Sequence, residues 1–361
     1  MYFTDLRLTN FKNYESLHWH LSPRINCLTG WNGTGKTNVL DAIHFLCLCK
    51  SHTGMSDKNA VRHGQAFFRI EGALRNDDEE QHKIVVKFNG LKKSIEQDGV
   101  AFARLTDYIG LYPAVMIAPD DVALVQEGSE DRRRFLDATL SQLSAPYLHA
   151  LITYNHLLRY RNALLRQFAE SRHFDPVLLT ACDRQMYDPA ALLFEQRSRF
   201  AVVLNPLFQE FYREISGGRE QVELHYHSDL TESPLSLLLQ ETLEKDRSLQ
   251  RTGVGPHRDD LKFSMNGQPL KKFASQGQLK SFLLALRLAQ YEVLRREKDT
   301  DPILLLDDIF DKLDERRVQH LIGLLLHRRF GQIFITDTQR NRMENILKNL
   351  TEHYRIFETE T

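Results

Sequence analysis

Hydrophobic and polar positions change texture twice along the chain, and each change marks a different kind of element. Near the N-terminus, Glu15–Leu21 alternates: Leu17, Trp19 and Leu21 fall on one side and Ser16, His18 and His20 on the other, which predicts a half-buried strand. Ile25–Thr29 is a short apolar run of strand type, and Val39, Leu40, Ile43, Leu46 and Cys47 then recur at helical spacing. Alternation returns over Ala66–Arg75. Lys83–Phe88 and Lys92–Gln97 are joined through Asn89-Gly90, a strong hairpin signal, so an antiparallel sheet follows the first helix. Pro113–Ala118 reads as a further buried strand, closed by Pro119.

From Asp131 the pattern becomes that of long amphipathic helices, through Phe135, Leu136, Leu140 and on to Leu164 and Leu165. A second helical run covers Val177–Ile215, with breaks expected at Pro189 and Pro206 and an end at Gly217-Gly218. Two such helices packed antiparallel make an arm on the order of 50 Å long at ~1.5 Å per residue. Strands resume at Gln221–His227 and Leu261–Met265. Leu279–Val293 marks a buried helix, and Ile303–Leu306, Gln332–Ile335 and Tyr354–Phe357 read as strands separated by helices. The fold class expected is α/β: a β/α core with an antiparallel β-subdomain, split by a helical insertion. The boundaries fall at residues 1–118, 119–284 and 285–361.

Composition narrows this only slightly. Lys and Arg number 47 against 48 Asp and Glu, so no overall basic field exists and any nucleic-acid contact must come from local patches. The four cysteines, Cys27, Cys47, Cys49 and Cys182, show no CxxC spacing, which points to a reduced, cytoplasmic protein. No signal peptide and no window of membrane-spanning length is present. His18 and His20 read as solvated strand positions; as a metal pair they would need a further ligand nearby.

The chemistry concentrates at Gly30-Trp31-Asn32-Gly33-Thr34-Gly35-Lys36-Thr37, between the Ile25–Thr29 strand and the helix that Asn38 enters. Two glycines flanking four residues, then Lys-Thr, form a loop whose N–H groups turn toward phosphate oxygens at a helix N-terminus. Lys36 supplies a point charge for the outer phosphates, and the Thr37 hydroxyl is a ligand for Mg²⁺. Ile303–Leu306, apolar throughout, ends in Asp307-Asp308: Asp307 would hold Mg²⁺ and Asp308 would polarise the attacking water. Ser275-Gln276-Gly277-Gln278 stands before the Leu279–Val293 helix. Its Ser, Gly277 and Gln278 can cap the helix or close on a γ-phosphate.

These three elements in this order resemble the ABC-type ATPase heads of the SMC-like DNA-repair class, and in detail the RecF family. The stretches that carry the likeness are Leu8–Tyr14, Gly30–Asn38, Pro119–Val122 with Arg132–Asp137, Tyr160–Leu165, Gly255–Leu261, Ser275–Gln278 and Leu304–Asp314, with Gly255–Leu261 the most diagnostic. The resemblance implies a head that binds ATP and Mg²⁺ and forms an ATP-dependent homodimer in which Ser275 and Gly277 of one subunit close over the nucleotide held by Lys36 and Thr37 of the other. Asp314 would contribute contacts across that dimer. It further implies binding of double-stranded DNA and single-strand/duplex junctions, weak DNA-stimulated ATPase activity, and RecO and RecR as partners in placing recombinase at single-strand gaps.

Departures from the family pattern are specific. Asp308 replaces the Glu usual in ABC ATPases, as in RecF proteins, and its shorter reach predicts slow turnover. Asp41 stands where Glu is usual, and Ser51-His52 where an Arg commonly follows Ser-Phe. Asp120 or Asp121 occupies the place of a Q-loop glutamine, and Thr336 or Thr338 that of a switch His. A transport ATPase would carry a Leu-Ser-Gly-Gly-Gln signature, a Q-loop and that His; the remaining alternative is the ATPase head of another SMC-like DNA-repair or phage-defence system. Candidate DNA contacts are Lys92, Lys93, Arg132, Arg159 and Arg161, whose local density suits backbone phosphates without sequence readout. Arg258 reads as an internal partner of Asp259 and Asp260.

Overall fold

A computed structural model describes residues 1–218, 220–310 and 315–359. The chain divides into two compact units, Met1–Asp121 with Gln290–Thr361, and Val122–Ala289, which interrupts the first in sequence. Fourteen strands are numbered in chain order: β1 (Tyr2–Phe11), β2 (Tyr14–His20), β3 (Ile25–Thr29), β4 (Phe68–Arg75), β5 (Gln81–Phe88), β6 (Lys93–Gln97), β7 (Val100–Ala101), β8 (Ala114–Ile117), β9 (Val222–His227), β10 (Asp260–Met265), β11 (Gln268–Pro269), β12 (Ile303–Leu306), β13 (Ile333–Asp337) and β14 (Tyr354–Glu358).

In the first unit, five strands form an all-parallel sheet in the order β14-β3-β13-β12-β8. Every residue of β3, β8, β12 and β13 is buried, which is why these segments read as unbroken apolar runs rather than alternating ones. Six strands form an antiparallel sheet in the order β2-β1-β4-β5-β6-β7. The Lys36–Leu48 helix lies between the sheets, touching β4 and β5 on one side and β8 and β13 on the other, so every residue from Val39 to Leu48 is buried. One close approach needs a glycine: a Cβ on Gly72 of β4 would come within 2.8 Å of Leu46 and the Phe3 ring.

β1 was not legible as a strand. It pairs with both β2 and β4, but its register shifts between Phe3 and Asp5, and the irregularity breaks the alternation that would have marked it. The expected hairpin between β5 and β6 is present, with a longer loop than two residues: Phe88 pairs with Lys93, and the Asn89 carboxamide oxygen accepts from the N–H groups of Leu91 and Lys92.

The second unit holds helices Ser129–Leu143, Ala145–Ser171 and Pro176–Ser216, and a three-stranded sheet β11-β10-β9. The breaks expected at Pro189 and Pro206 do not occur: the 41-residue helix runs through both. Each proline removes one N–H from the ladder, whereas Met186, Ala190, Leu193, Leu204, Leu207 and Phe208 are buried on either side, and that packing holds the helix together. The helix also carries Arg197, which is buried and fully engaged. It donates to Asp259 Oδ2 (2.7 Å), the Pro256 carbonyl (2.7 Å), Asp137 Oδ1 (2.8 Å) and the Tyr147 hydroxyl (3.0 Å). Tyr226 also donates to Asp259. The Gly255–Leu261 stretch is therefore a clamp on the long helix.

Asp259→Ala would leave the buried Arg197 with Asp137 as its one carboxylate partner, a change expected to cost about 3–5 kcal/mol. Urea unfolding followed by far-UV circular dichroism should show that loss, with a much smaller one for Asp229→Ala on an exposed turn.

Candidate nucleotide site

The phosphate loop leaves the buried edge of β3 and folds under tight steric limits. Gly30 adopts φ +149° and Gly35 φ +102°. A Cβ on Gly30 would meet Thr359 Oγ1 at 2.6 Å, and one on Gly35 would lie 2.9 Å from both Asn13 Oδ1 and the Tyr14 hydroxyl. Glycine is required at both positions by conformation and by space. Asn13, at the turn between β1 and β2, donates to the Thr34 carbonyl (3.3 Å) and accepts from the Asn38 side chain (2.7 Å). Thr34 donates to the Trp31 carbonyl (2.9 Å) and pairs with the Thr359 hydroxyl (2.6 Å). Asn32 and Gly33 are exposed at the tip.

Gly35 forms the N-cap of the Lys36–Leu48 helix, with no side-chain cap and no acid in the first turn, so the positive end of the helix opens onto the loop. Lys36 Nζ donates to the carbonyls of Gly30 and Trp31, each at 2.7 Å. Burial pushes the Lys36 amine below its ordinary range, opposed by Asp308, Asp307 and Asp337.

Thr37 and Asp307 meet: the Thr37 hydroxyl donates to Asp307 Oδ1 at 3.0 Å, and Thr336 on β13 donates to the same oxygen at 2.9 Å. Thr336 Oγ1 also accepts the Asp308 N–H at 2.8 Å, so one hydroxyl fixes the position of both acids. Asp307 is 5% exposed, and burial raises its pKa against the hydrogen bonds from Thr336 and Thr37 and the charges of His52 and Lys36. Asp308, by contrast, is exposed and holds φ +47°, uncommon for a residue with a Cβ. Thr336 thus orients Asp307, and Thr338 is exposed.

Asp41 has a clear role. Its buried carboxylate pairs with Lys12 (2.7 Å) and accepts from the Ser51 hydroxyl (2.8 Å) and the His52 N–H (2.7 Å), which brings His52 toward Asp307. Asp121 is buried and accepts from the Ala118 N–H (3.1 Å) within its own turn, while Asp120 is exposed. In the second unit, Ser275 and Gln278 form a reciprocal cap: Gln278 Oε1 accepts from the Ser275 N–H (2.8 Å), and Ser275 Oγ accepts from the Gln278 N–H (3.3 Å). The Gln278 amide also donates to Glu220 (2.9 Å), and a Cβ on Gly277 would meet nothing within 4 Å. Asp314 lies outside the described residues.

Three of the five candidate DNA contacts are engaged internally. Arg161 is 0% exposed and binds Asp183 (2.6 Å), Asp246 (2.7 Å) and Thr252 (3.0 Å). Arg132 grips Asp260 through both Nε (2.7 Å) and Nη2 (3.2 Å). Lys93 pairs with Asp57 at 2.8 Å and lies over the Phe45 ring. Lys92 and Arg159 are exposed. Arg258 is exposed as well, because Asp259 and Asp260 are taken by Arg197 and Arg132 instead.

The RecF/RecN/SMC N-terminal domain family matches this chain over residues 2–361. The DNA replication and repair protein RecF of Flavobacterium johnsoniae is 43% identical, over 99% of both chains. The chain belongs to the RecF family. RecF of Porphyromonas gingivalis is 41% identical over 100% of this chain and 98% of its own. Among solved structures, that of the recombination mediator protein RecF-ATPrS in the RecFOR pathway matches with a TM-score of 0.90 at 28% identity, covering 99% of this chain and 96% of the other. An Smc head domain from Pyrococcus furiosus matches at 0.56 and 17% identity, covering 95% and 91%, a likeness of fold alone. The α/β architecture is that of an ABC-type ATPase head.

The Asp307 environment makes a testable statement about stability. A carboxyl whose folded pKa is raised weakens folding above that pKa, and the penalty is relieved as pH falls through it. Asp307→Asn, which keeps an oxygen to accept from Thr37 and Thr336, should leave the thermal midpoint of the nucleotide-free protein at pH 7.5 unchanged or higher. The same variant should lose the stabilisation that wild type gains from Mg²⁺ with a non-hydrolysable ATP analogue, read by differential scanning fluorimetry.

Proposed function

We propose that the protein is an ATP-dependent recombination mediator of the RecF type: it dimerises on ATP, binds duplex DNA near single-strand gaps and helps load recombinase in DNA repair and replication restart. The observation that carries this reading is the meeting of Thr37, Asp307 and Thr336 beside a glycine loop whose walls admit no side chain at Gly30 or Gly35. A triphosphate suits that cradle. The loop N–H groups and Lys36 would face its oxygens, with Lys36 released from the Gly30 and Trp31 carbonyls, and Thr37 with Asp307 would hold Mg²⁺. Mg²⁺ supplies charge neutralisation between the phosphates when bound.

Asp308 would orient and polarise water. Its side chain is one methylene shorter than that of glutamate, so hydrolysis is slow and serves as a switch. Ser275, Gly277 and Gln278 of a second copy would close over the γ-phosphate, with Gly277 leaving room for it. ATP would then join two subunits, and its hydrolysis would weaken the dimer and release DNA. The exposed Lys92 and Arg159 are the remaining candidates for phosphate contacts. RecO and RecR are the proposed protein partners, and the cytoplasm the proposed location; among the described residues no helix is long and apolar enough to cross a membrane.

Fluorescence anisotropy on a gapped duplex at fixed salt tests this directly. Binding should tighten by at least about tenfold, or 1.4 kcal/mol, when a non-hydrolysable ATP analogue and Mg²⁺ are added, and Lys36→Ala should abolish that gain. Equal binding with and without nucleotide would sink the mechanism. Arg159→Ala should weaken binding and lower its salt dependence, whereas Arg161→Ala should act through stability instead.

A further inference from the structure

The outer face of the antiparallel sheet carries a constellation that the nucleotide site does not use. β1 and β2 pair antiparallel with Asp5 opposite His20, and His18 lies two residues along β2 on the same face. Asp5 Oδ1 is 2.6 Å from His20 Nδ1 and 3.3 Å from His18 Nε2, and the two imidazole rings are 4.7 Å apart. One ligand atom from each of the three residues falls within 4.8 Å of the others, the only such trio among the described residues. All three side chains reach solvent.

The geometry points to a divalent-metal site here, for a zinc-like cation of borderline softness. Two imidazole nitrogens and a carboxylate oxygen are the donor set that such ions take, whereas Mg²⁺ prefers oxygen alone. Bonds of about 2.0 Å in a tetrahedral site place donor atoms about 3.3 Å apart, so a small outward shift of His20 admits the ion. The strand pairing supplies preorganisation: the donors come from adjacent ladder positions, not from a mobile loop. Between the two histidines, Trp19 points the other way and stacks on Phe357 at 4.4 Å, which further fixes β2. Three protein donors leave a coordination position for water or for a donor from another molecule. Since β2 is the edge strand of its sheet, the ion would pin that edge to β1.

Isothermal titration of Zn²⁺ into the untagged, metal-free chain without nucleotide tests the site. The protein has 15 histidines, so the decisive quantity is the difference from variants. Wild type should show one equivalent that is lost or weakened at least about tenfold in His18→Gln and His20→Gln, because second-shell changes alone cost 10–100-fold. Asp5→Asn should weaken it as well. Cu²⁺ should quench the Trp19 fluorescence of a Trp31→Phe protein, and fail to do so in the same protein carrying His20→Gln. His18 and His20 are exposed and Asp5 is half-buried, and circular dichroism of the variants checks that they fold. Equal Zn²⁺ affinity and stoichiometry in wild type and both histidine variants would overturn the assignment, and would leave the trio a hydrogen-bonded surface cluster.

Discussion

A hydrogen bond of 3.0 Å joins Thr37 to Asp307 across 270 residues of sequence, and the arrangement of the candidate site depends on the sheet that makes it possible. β3 and β12 are not neighbours; β13 lies between them, and all three run parallel so that their C-terminal ends come out on one edge. That edge is where parallel sheets gather functional groups. β13 is more than a spacer, because its Thr336 donates a hydrogen bond to one acid and accepts one from the backbone N–H of the next. A serine could supply the same hydroxyl, but the β-branched threonine has fewer rotamers to lose in a strand. The two acids also differ in environment. Asp307 is enclosed and held by two hydroxyls; Asp308 faces solvent on a left-handed backbone. The contrast fits the proposed division of roles, in which Asp307 would hold a cation and Asp308 would face water.

What could be read from the sequence was what is encoded locally. Glycine spacing, an all-apolar run and a Lys-Thr pair specify strand, loop and helix without help from elsewhere, and β12 with its terminal acids is legible for the same reason. For Lys93, Arg132 and Arg161 the internal partners are not legible, because those partners are not local. Arg161 meets Asp183 in the next helix and Asp246 still further on, and nothing around Arg161 announces that both carboxylates converge on it. Arg132 and Asp260 are separated by 128 residues. The proline breaks failed for a related reason: local propensity was outweighed by apolar side chains buried along the helix. His18 and His20 were recognisable as a pair, but the third donor, Asp5, belongs to the strand whose bulge hid it.

Two features of the Ser275–Gln278 stretch coexist without conflict. As a cap, Ser275 and Gln278 satisfy each other's backbone N–H groups, the common meaning of Ser at a helix start. As a nucleotide contact, the same serine would have to turn its hydroxyl outward, and the helix would exchange one acceptor for another. Glu220 holds the Gln278 amide meanwhile. The cost of rearrangement is then about that of a single hydrogen bond, ~0.5–1.5 kcal/mol, comparable to the ~0.3–2 kcal/mol that a helix N-terminus offers a negative charge.

The position of β3 in the parallel sheet bears on how the molecule is made. Both of its neighbours, β13 and β14, come from residues 333–358, whereas β1, β2 and β4 to β7 pair among themselves within the first 101 residues. On the ribosome the antiparallel sheet can therefore close early. The Ile25–Thr29 strand, entirely apolar except for Asn26 and Thr29, must wait until nearly the whole chain has emerged. At roughly 5–20 residues per second that interval lasts about fifteen seconds to a minute, with β3 lacking both of its neighbours throughout. A nascent chain therefore cannot complete the nucleotide cradle before β13 and β14 emerge, and until then its apolar β3 strand has no pairing partner.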